Sequence, residues 1–419
     1  MGSAPGEAPA CAAGRGSSCA RDIGAIFRRH GEQYRRTHAL GATERRALRD
    51  ISVCRTGALG GHRDVCGRCG YEHTRYNSCR NRHCPKCQAL RQARWVAERM
   101  ARALPVRHFH VVFTLPAELR PLVREHEVAL LDLLFVAAAQ TIVTLGQDPK
   151  RLGALVGVTA VVHTWGRNLT FHPHLHCIVT GGGLTPQGTW ADSPQRYLLP
   201  VKVLSRLFRG KYLAGLAELF ARGKLLPGPR AAKSTRELLE PAAFARLKDL
   251  LYHKDWVVYA KAPFKRPAAL FRYLGQYTHR VAISNHRLLR VDDHEVVVRT
   301  RGQCVCRFSP LEFMRRFLQH VLPRAFVKIR HFGLLAPGNV NTKLAAARAA
   351  LVALVATGPA QDLEELPRGA APARPWRALF KLLTGIDLTT CPLCAGAIAT
   401  EPLAEALNGA RAPPSRASP

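Results

Sequence analysis

Residues 171–177 read FHPHLHC, and the spacing inside this stretch decides what is built around it. His174 and His176 are two apart, so on a strand both imidazoles point to one face while Leu175 and Cys177 point to the other. Two imidazoles on one face can hold a divalent ion. Two surface histidines are the plainer alternative, and His172 shares the parity but is followed by Pro173. The strand is expected to run to Thr180 and close on Gly181, Gly182 and Gly183. Upstream, residues 157–163 supply a partner strand, and residues 166–168 the turn of a hairpin.

Further outward, residues 108–115 form a period-two strand with Phe109, Val111, Phe113 and Leu115 on one side, stopped by Pro116. A helical run follows to about residue 145; its apolar part, 128–145, is interrupted by polar residues and reads as an amphipathic helix rather than a membrane span. Residues 198–251 are mostly helical and basic, with the look of an insertion or support region. Then come a strand at 256–261, a helix opened by Pro267 and running to about 280, and a second hairpin, 281–290 with 295–301, turning at Asp292 and Asp293. Ser309, Pro310 and Glu312 start another helix, to about 322, with a capping box. Residues 357–375 are a Pro/Ala/Gly linker, followed by a short helix, the pair Cys391 and Cys394, and a frayed tail.

At 419 residues and 47% hydrophobic the chain can build two to four domains with real cores. Its formal net charge of +33 excludes an ordinary metabolic enzyme as the default and attracts polyanions, nucleic acid before an anionic membrane. A base-composition bias accounts for part of the arginine content. The first nineteen residues lack the apolar block of a secretory signal and read as a loose tail. Thirteen cysteines, six of them between Cys54 and Cys87, favour metal ligation in a reducing compartment, the cytoplasm, over a disulfide framework.

Cys66 and Cys69 (CGRC) and Cys84 and Cys87 (CPKC) are two C-x-x-C pairs separated by fourteen residues, a spacing at which four thiolates close a tetrahedron around zinc. Cys54, His62, Cys79 and His83 interleave with that set and leave room for a second zinc. Cys391 and Cys394 stand as a half-site without obvious partners. Across residues 54–94 nine basic side chains face two acidic ones, which suits a grip on a phosphate backbone through groups such as Arg80, Arg82 and Lys86. Tyr273 and Tyr277, four apart on the helix after Pro267, stack their phenols on one face. Such a pair is more often core packing, but Arg272, His279, Arg280 and a mid-helix Gly275 make the setting polar and basic. A phenol with a pKa near 10 needs a metal or cation beside it to attack a phosphate.

The ordered phrases NSCRNRHCPKC (77–87), FTLP (113–116), HTWG (163–166), HPHLH (172–176), YLGQYTHR (273–280) and HFGLLAP (331–337) resemble those of the insertion sequence 91 family of rolling-circle transposases, over roughly residues 23–348. The family belongs to the His-hydrophobic-His single-strand nucleases. The resemblance implies an α+β fold: a ferredoxin-like antiparallel catalytic sheet with both histidines on a central strand, an N-terminal zinc module that binds DNA, and helical insertions. It implies His174 and His176 as ligands of Mg or Mn but does not fix a third ligand; Gln276, near the tyrosines on their helix, is the first choice, with His163 or His172 behind it. It implies Tyr273 and Tyr277 as nucleophiles that form 5′-phosphotyrosine intermediates; Arg280, in the basic setting beside them, is expected to contact DNA.

The expected organisation is a tail at 1–19, a helical and zinc-binding DNA-binding domain at 20–104, a strand-transfer domain at 105–348 with its helical insertion at 198–251, and a linker, short helix and Cys pair at 349–419. The expected partners are single-stranded DNA at element ends and target, with host replication factors or a helicase and no membrane. A plasmid replication initiator or relaxase of the same chemistry, and a noncatalytic zinc-dependent DNA-binding protein, are the alternatives.

Overall fold

The structure, a computed structural model, describes residues 21–166, 168–194, 198–229, 231–264, 283–300, 304–357 and 376–403. Its centre is an antiparallel sheet of β3 (His108–Thr114), β4 (Leu155–Trp165), β5 (Phe171–Leu184), β6 (Trp190–Asp192), β7 (Val258–Phe264) and β11 (Ile329–Gly333). The strand order is β11-β4-β5-β3-β7, with β6 on the far end of β5. In chain order β3, helices, β4, β5, helices, β7 make a β-α-β-β-α-β unit with spatial order β4-β5-β3-β7, the ferredoxin-like arrangement. The fold is α+β as expected.

Alternation along the strands divides the sheet into two faces. Phe109, Val111 and Phe113, Val156, Val158, Ala160 and Val162, and Leu175, Cys177 and Val179 all enter one apolar core beneath the helices. The opposite face carries His110, Thr159, His163, His174 and His176. β5 runs four residues past the expected end at Thr180: its glycines let neighbouring strands approach, since a Cβ on Gly181, Gly182 or Gly183 would meet the carbonyl oxygens of Arg107, Ala191 or Leu155 at 2.6–2.7 Å.

Two helix layers cover the apolar face. α5 (Glu127–Gln147) buries Leu130, Leu134, Phe135 and Ile142 between the sheet and α6 (Val201–Ala221), so it is apolar on more than one side rather than amphipathic. It is the one helix among the described residues long and apolar enough to cross a membrane, and just over half of that stretch is buried. α6 and α8 (Pro241–His253) place Leu204, Phe208, Leu216, Phe244, Leu247 and Leu251 in the same core. The stretch 198–251 is therefore the second crossover of the unit, not an insertion. β5 and β7 run parallel on either side of β3, and a parallel return needs such a connection.

The N-terminal helices α1 (Ile23–Thr37) and α2 (Ala42–Ser52) do not form a core of their own. Ile23, Phe27, Leu48 and Ile51 share one with Leu288 and Val296 of the hairpin β8 (Leu288–Val291) and β9 (Val296–Arg299), and with Phe313 and Phe317 of the helix Pro310–Leu318. That helix is capped by Ser309, whose side chain accepts from the Glu312 N–H at 3.3 Å, and it ends earlier than expected. Asp22 ties the region together: it caps α1 through Gly24 N–H at 3.0 Å, pairs with Lys86 at 2.6 Å and accepts from Asn285 at 3.1 Å. β10 (Val305–Phe308) completes the second sheet, in the order β10-β9-β8. α3 (Ala89–Arg102) crosses to the polar face of the large sheet, where Trp95, Val96 and Met100 pack on Ile178 and Ile329.

Candidate metal centre, cysteine clusters and basic cleft

His174 and His176 lie on β5 and project from the same face, as their spacing requires. His163 of β4 stands directly across the ladder from His174, and the ligand nitrogens of all three lie within 4.8 Å of one another. Ring centroids are 4.3 Å apart for His163 and His176, and 4.9 Å for His174 and His176. Burial pushes His174 down to about 4 and His176 well below the usual imidazole range, so both are neutral and able to ligate. The Nδ1–H of His174 donates to the His172 carbonyl at 2.7 Å, which presents its Nε2 as the lone-pair atom. On β3, His110 Nε2 lies 2.7 Å from His176 Nδ1.

Of the other expected ligands, His172 is outside this group and shares a 3.2 Å hydrogen bond with Arg120. Tyr273, Gln276, Tyr277 and Arg280 lie outside the described residues. Sequence reasoning missed His110; its signal was the alternation in HFHVVFT, which sends His110 to the face opposite Phe109 and Val111. It also missed Lys328, just before β11, whose ammonium sits 5.0 Å from the Trp165 ring centroid and which burial pushes down to about 7. Lys261 of β7 and Lys328 both bring positive charge toward His176.

The cysteines divide differently from their spacing. Cys66, Cys69, Cys84 and Cys87 do not form one set. Cys84 and Cys87 join Cys54 and Cys79, with Sγ separations of 3.5 Å for Cys54–Cys87 and Cys54–Cys84, and 3.7 Å for Cys79–Cys87. A tetrahedron with Zn–S of about 2.3 Å has edges of about 3.8 Å, so the four sulfurs fit zinc. The mutual hydrogen bonds of these thiols push Cys87 down and Cys79 and Cys84 up. Cys54 and Cys84 are fully buried in the core shared with Ile51 and Phe317.

Cys66 and Cys69 instead meet Cys391 and Cys394. Neither expected histidine joins a cluster. His62 is exposed on β1 (Gly61–Cys66), while His83 is buried and its Nε2 accepts from the Leu322 N–H at 3.1 Å, linking the module to the chain after the helix Pro310–Leu318. The pairing from C-x-x-C spacing failed because both pairs have the same local form and the choice of partner is made by tertiary contact.

Beside the first cluster lies a cleft of about 410 Å³ lined by Arg46, Arg80, Arg82, Arg91 and Arg324. None of the three clustered histidines lines it. Arg46, Arg80, Arg91 and Arg324 are exposed, which suits a phosphate backbone. Two of the expected DNA contacts also hold the module in place: Arg82 donates to the Phe326 carbonyl at 2.9 Å, and Lys86 is paired with Asp22.

The comparisons with known proteins agree with this architecture. Residues 157–343 match the family model described as "Putative transposase", and residues 26–115 match the "Transposase zinc-binding domain". The chain is 43% identical over 381 residues to "Putative transposase y4qJ" of Sinorhizobium fredii (strain NBRC 101917 / NGR234), covering 89% of this chain and 92% of that one. It is 31% identical over 311 residues to the "Transposase for insertion sequence element IS801" of Pseudomonas savastanoi pv. phaseolicola, covering 70% and 72%. No solved structure matches. With a zinc-binding domain in its N-terminal part and two transposase relatives matched over more than two thirds of their length, the chain belongs to the insertion sequence 91 family of transposases.

Proposed function

We propose that this transposase cuts and rejoins single strands of DNA through covalent phosphotyrosine intermediates, in rolling-circle transposition. The observation that carries the proposal is the convergence of His163, His174 and His176 on the polar face of a ferredoxin-like sheet, all within 4.8 Å and two of them kept neutral by burial. Three imidazoles can hold a divalent ion, with water filling its other positions; in this proposal the ion is Mg or Mn, and His163 takes the third position for which Gln276 was the first expectation. A metal bound there would polarise a phosphate oxygen of the strand to be cut.

Tyr273 and Tyr277 follow β7, the strand next to β3, and supply the nucleophiles in this proposal. The phenol oxygen of one attacks phosphorus and gives up its proton. The 3′ oxygen leaves and takes one, and the 5′ side of the break stays on the tyrosine. The ester conserves the bond, so no nucleotide energy is needed. The second tyrosine accepts the second strand, at the target or at the element's other end. Arg280 would contact the same strand. Duplex DNA buries its bases and sugars in the stack, so a host replication factor or helicase in the cytoplasm would expose the strand.

The structural zinc belongs to the N-terminal module, at Cys54, Cys79, Cys84 and Cys87, beside the arginine-lined cleft that would hold element-end DNA. The test is to incubate the protein with single-stranded oligonucleotides carrying element ends, with and without Mg or Mn, and to map any denaturation-resistant adduct by mass spectrometry. A metal-dependent adduct on Tyr273 or Tyr277 is expected. An adduct that persists after both are changed to Phe, or tight end binding with no adduct, would overturn the proposal, the latter in favour of a noncatalytic DNA-binding protein.

A further inference from the structure

We propose that Cys66, Cys69, Cys391 and Cys394 form a second zinc site, which joins the N-terminal module to the C-terminal end of the chain as one zinc ribbon. The matched zinc-binding domain ends at residue 115, so half of this site lies far outside it. Cys66 and Cys394 are 328 residues apart, yet their sulfurs are 3.5 Å apart, and those of Cys69 and Cys391 are 3.6 Å apart. All four lie within 4.8 Å of one another. These separations match the edges of a thiolate tetrahedron around zinc, about 3.8 Å for Zn–S of about 2.3 Å.

The two C-x-x-C segments fold as copies of one another. In the first, Cys66 N–H donates to Tyr71 O at 2.9 Å and Gly70 N–H to Cys66 O at 3.0 Å. In the second, Cys391 N–H donates to Gly396 O at 2.7 Å and Ala395 N–H to Cys391 O at 3.0 Å. The residue after the second cysteine is left-handed in both, Gly70 at φ 67° and Ala395 at φ 56°. An alanine held there is strained, and such strain persists only where the surroundings impose it. Gly396 closes the cradle: a Cβ on it would stand 3.3 Å from the sulfurs of both Cys66 and Cys394.

The sheet that carries these segments cannot be held by apolar burial. β12 (Ile398–Pro402) pairs with β1 from His62↔Pro402 to Cys66↔Ile398, and β2 (Glu72–Tyr76) lies on the other side. β2 and β12 are almost entirely exposed. Three short strands without a core need a staple. The polar ties, Arg63 to Glu401 at 3.1 Å and Thr400 Oγ1 to Asp64 at 2.9 Å, set the register of β12 but are exposed or small. Four convergent sulfurs supply the staple. Closing them also fixes the helix Trp376–Thr384 against α3.

The experiment is zinc content per chain in the full-length protein and in the double variant Cys391→Ser, Cys394→Ser. Two ions are expected, falling to one in the variant. One ion in the unaltered protein, or two retained in the variant, overturns the proposal. Because the variant could misfold, thiol labelling of the unaltered protein with N-ethylmaleimide provides an independent measurement. Cys69 and Cys304 are both exposed. With zinc bound, Cys69 and Cys394 should label at least tenfold more slowly than Cys304, and the difference should vanish when zinc is stripped. Equal rates with zinc bound would overturn it.

Discussion

His110 and His176 are joined across two strands, Nε2 to Nδ1 at 2.7 Å, with ring planes 14° from parallel. For His176 to ligate a metal through Nε2, its Nδ1–H must donate to His110. In the proposed metal site His110 would be a positioning residue, the partner whose hydrogen bond fixes the tautomer of His176. His110→Leu should raise the Mn concentration giving half-maximal cleavage by about 10- to 100-fold and leave oligonucleotide binding unchanged. His110→Gln, whose side-chain oxygen can accept, should recover much of that loss. A metal titration of cleavage that is the same for all three proteins would remove this role.

His174→Ala and His163→Ala should each reduce cleavage to below about one per cent, since each removes a ligand from a three-nitrogen set. Binding of the same oligonucleotide, followed by fluorescence anisotropy, should change by no more than a few-fold. A His163 variant that cleaves normally would return the third position to a residue elsewhere.

Cys84→Ser should do more than release zinc. Cys84 and Cys54 are fully buried in the core that Ile23, Phe27 and Phe313 share, so loss of the metal there opens a core that includes the hairpin β8–β9. Thermal unfolding should begin at least several degrees lower, and the Asp22–Lys86 pair should be lost with it. Unchanged unfolding in a zinc-free Cys84→Ser protein would contradict this.

DNA affinity should fall steeply with salt. Arg80→Ala, Arg91→Ala and Arg324→Ala should each reduce the slope of log affinity against log salt by about one, similarly for specific and unrelated sequences. Arg82→Ala should act differently: its guanidinium holds the Phe326 carbonyl, so the variant should lose stability more than salt dependence.

Glu127 gives a pH signature apart from the site. Burial raises its carboxyl from 4.5 to about 7, against the opposing pull of Arg124 at 2.9 Å. A folded-state pKa raised in this way favours folding fully below about 4.5, and that contribution is lost as pH rises through about 7. Glu127→Gln should therefore shift the urea midpoint upward at pH 8 relative to the unaltered protein, and much less at pH 5. Equal shifts at both pH values would mean that Glu127 is charged throughout.

What could be read in the sequence was local. The alternation in FHPHLHC places two histidines on one face because period two needs no knowledge of the rest of the chain. The strands at 108–115 and 157–163, the β4–β5 turn and the Ser309 cap follow from the same kind of evidence. What could not be read was partner choice. Two C-x-x-C pairs fourteen residues apart look like one site, yet each meets cysteines elsewhere, one of them Cys391 and Cys394, more than three hundred residues further on. The basic helical stretch at 198–251 reads as an insertion because its apolar residues do not say which face they cover. His163 was a secondary choice as ligand until β4 was laid beside β5 in register.

The pairing of β12 with β1 sets an order of assembly. β1 is made early, and one of its edges has no neighbour until residues 398–402 have left the ribosome. An open strand edge is a template for pairing with other chains. A transposase chain cut short of residue 391 would carry that edge exposed and leave Cys66 and Cys69 without Cys391 and Cys394, so with the proposed zinc site it would differ from the longer chain in solubility and metal content as well as in length.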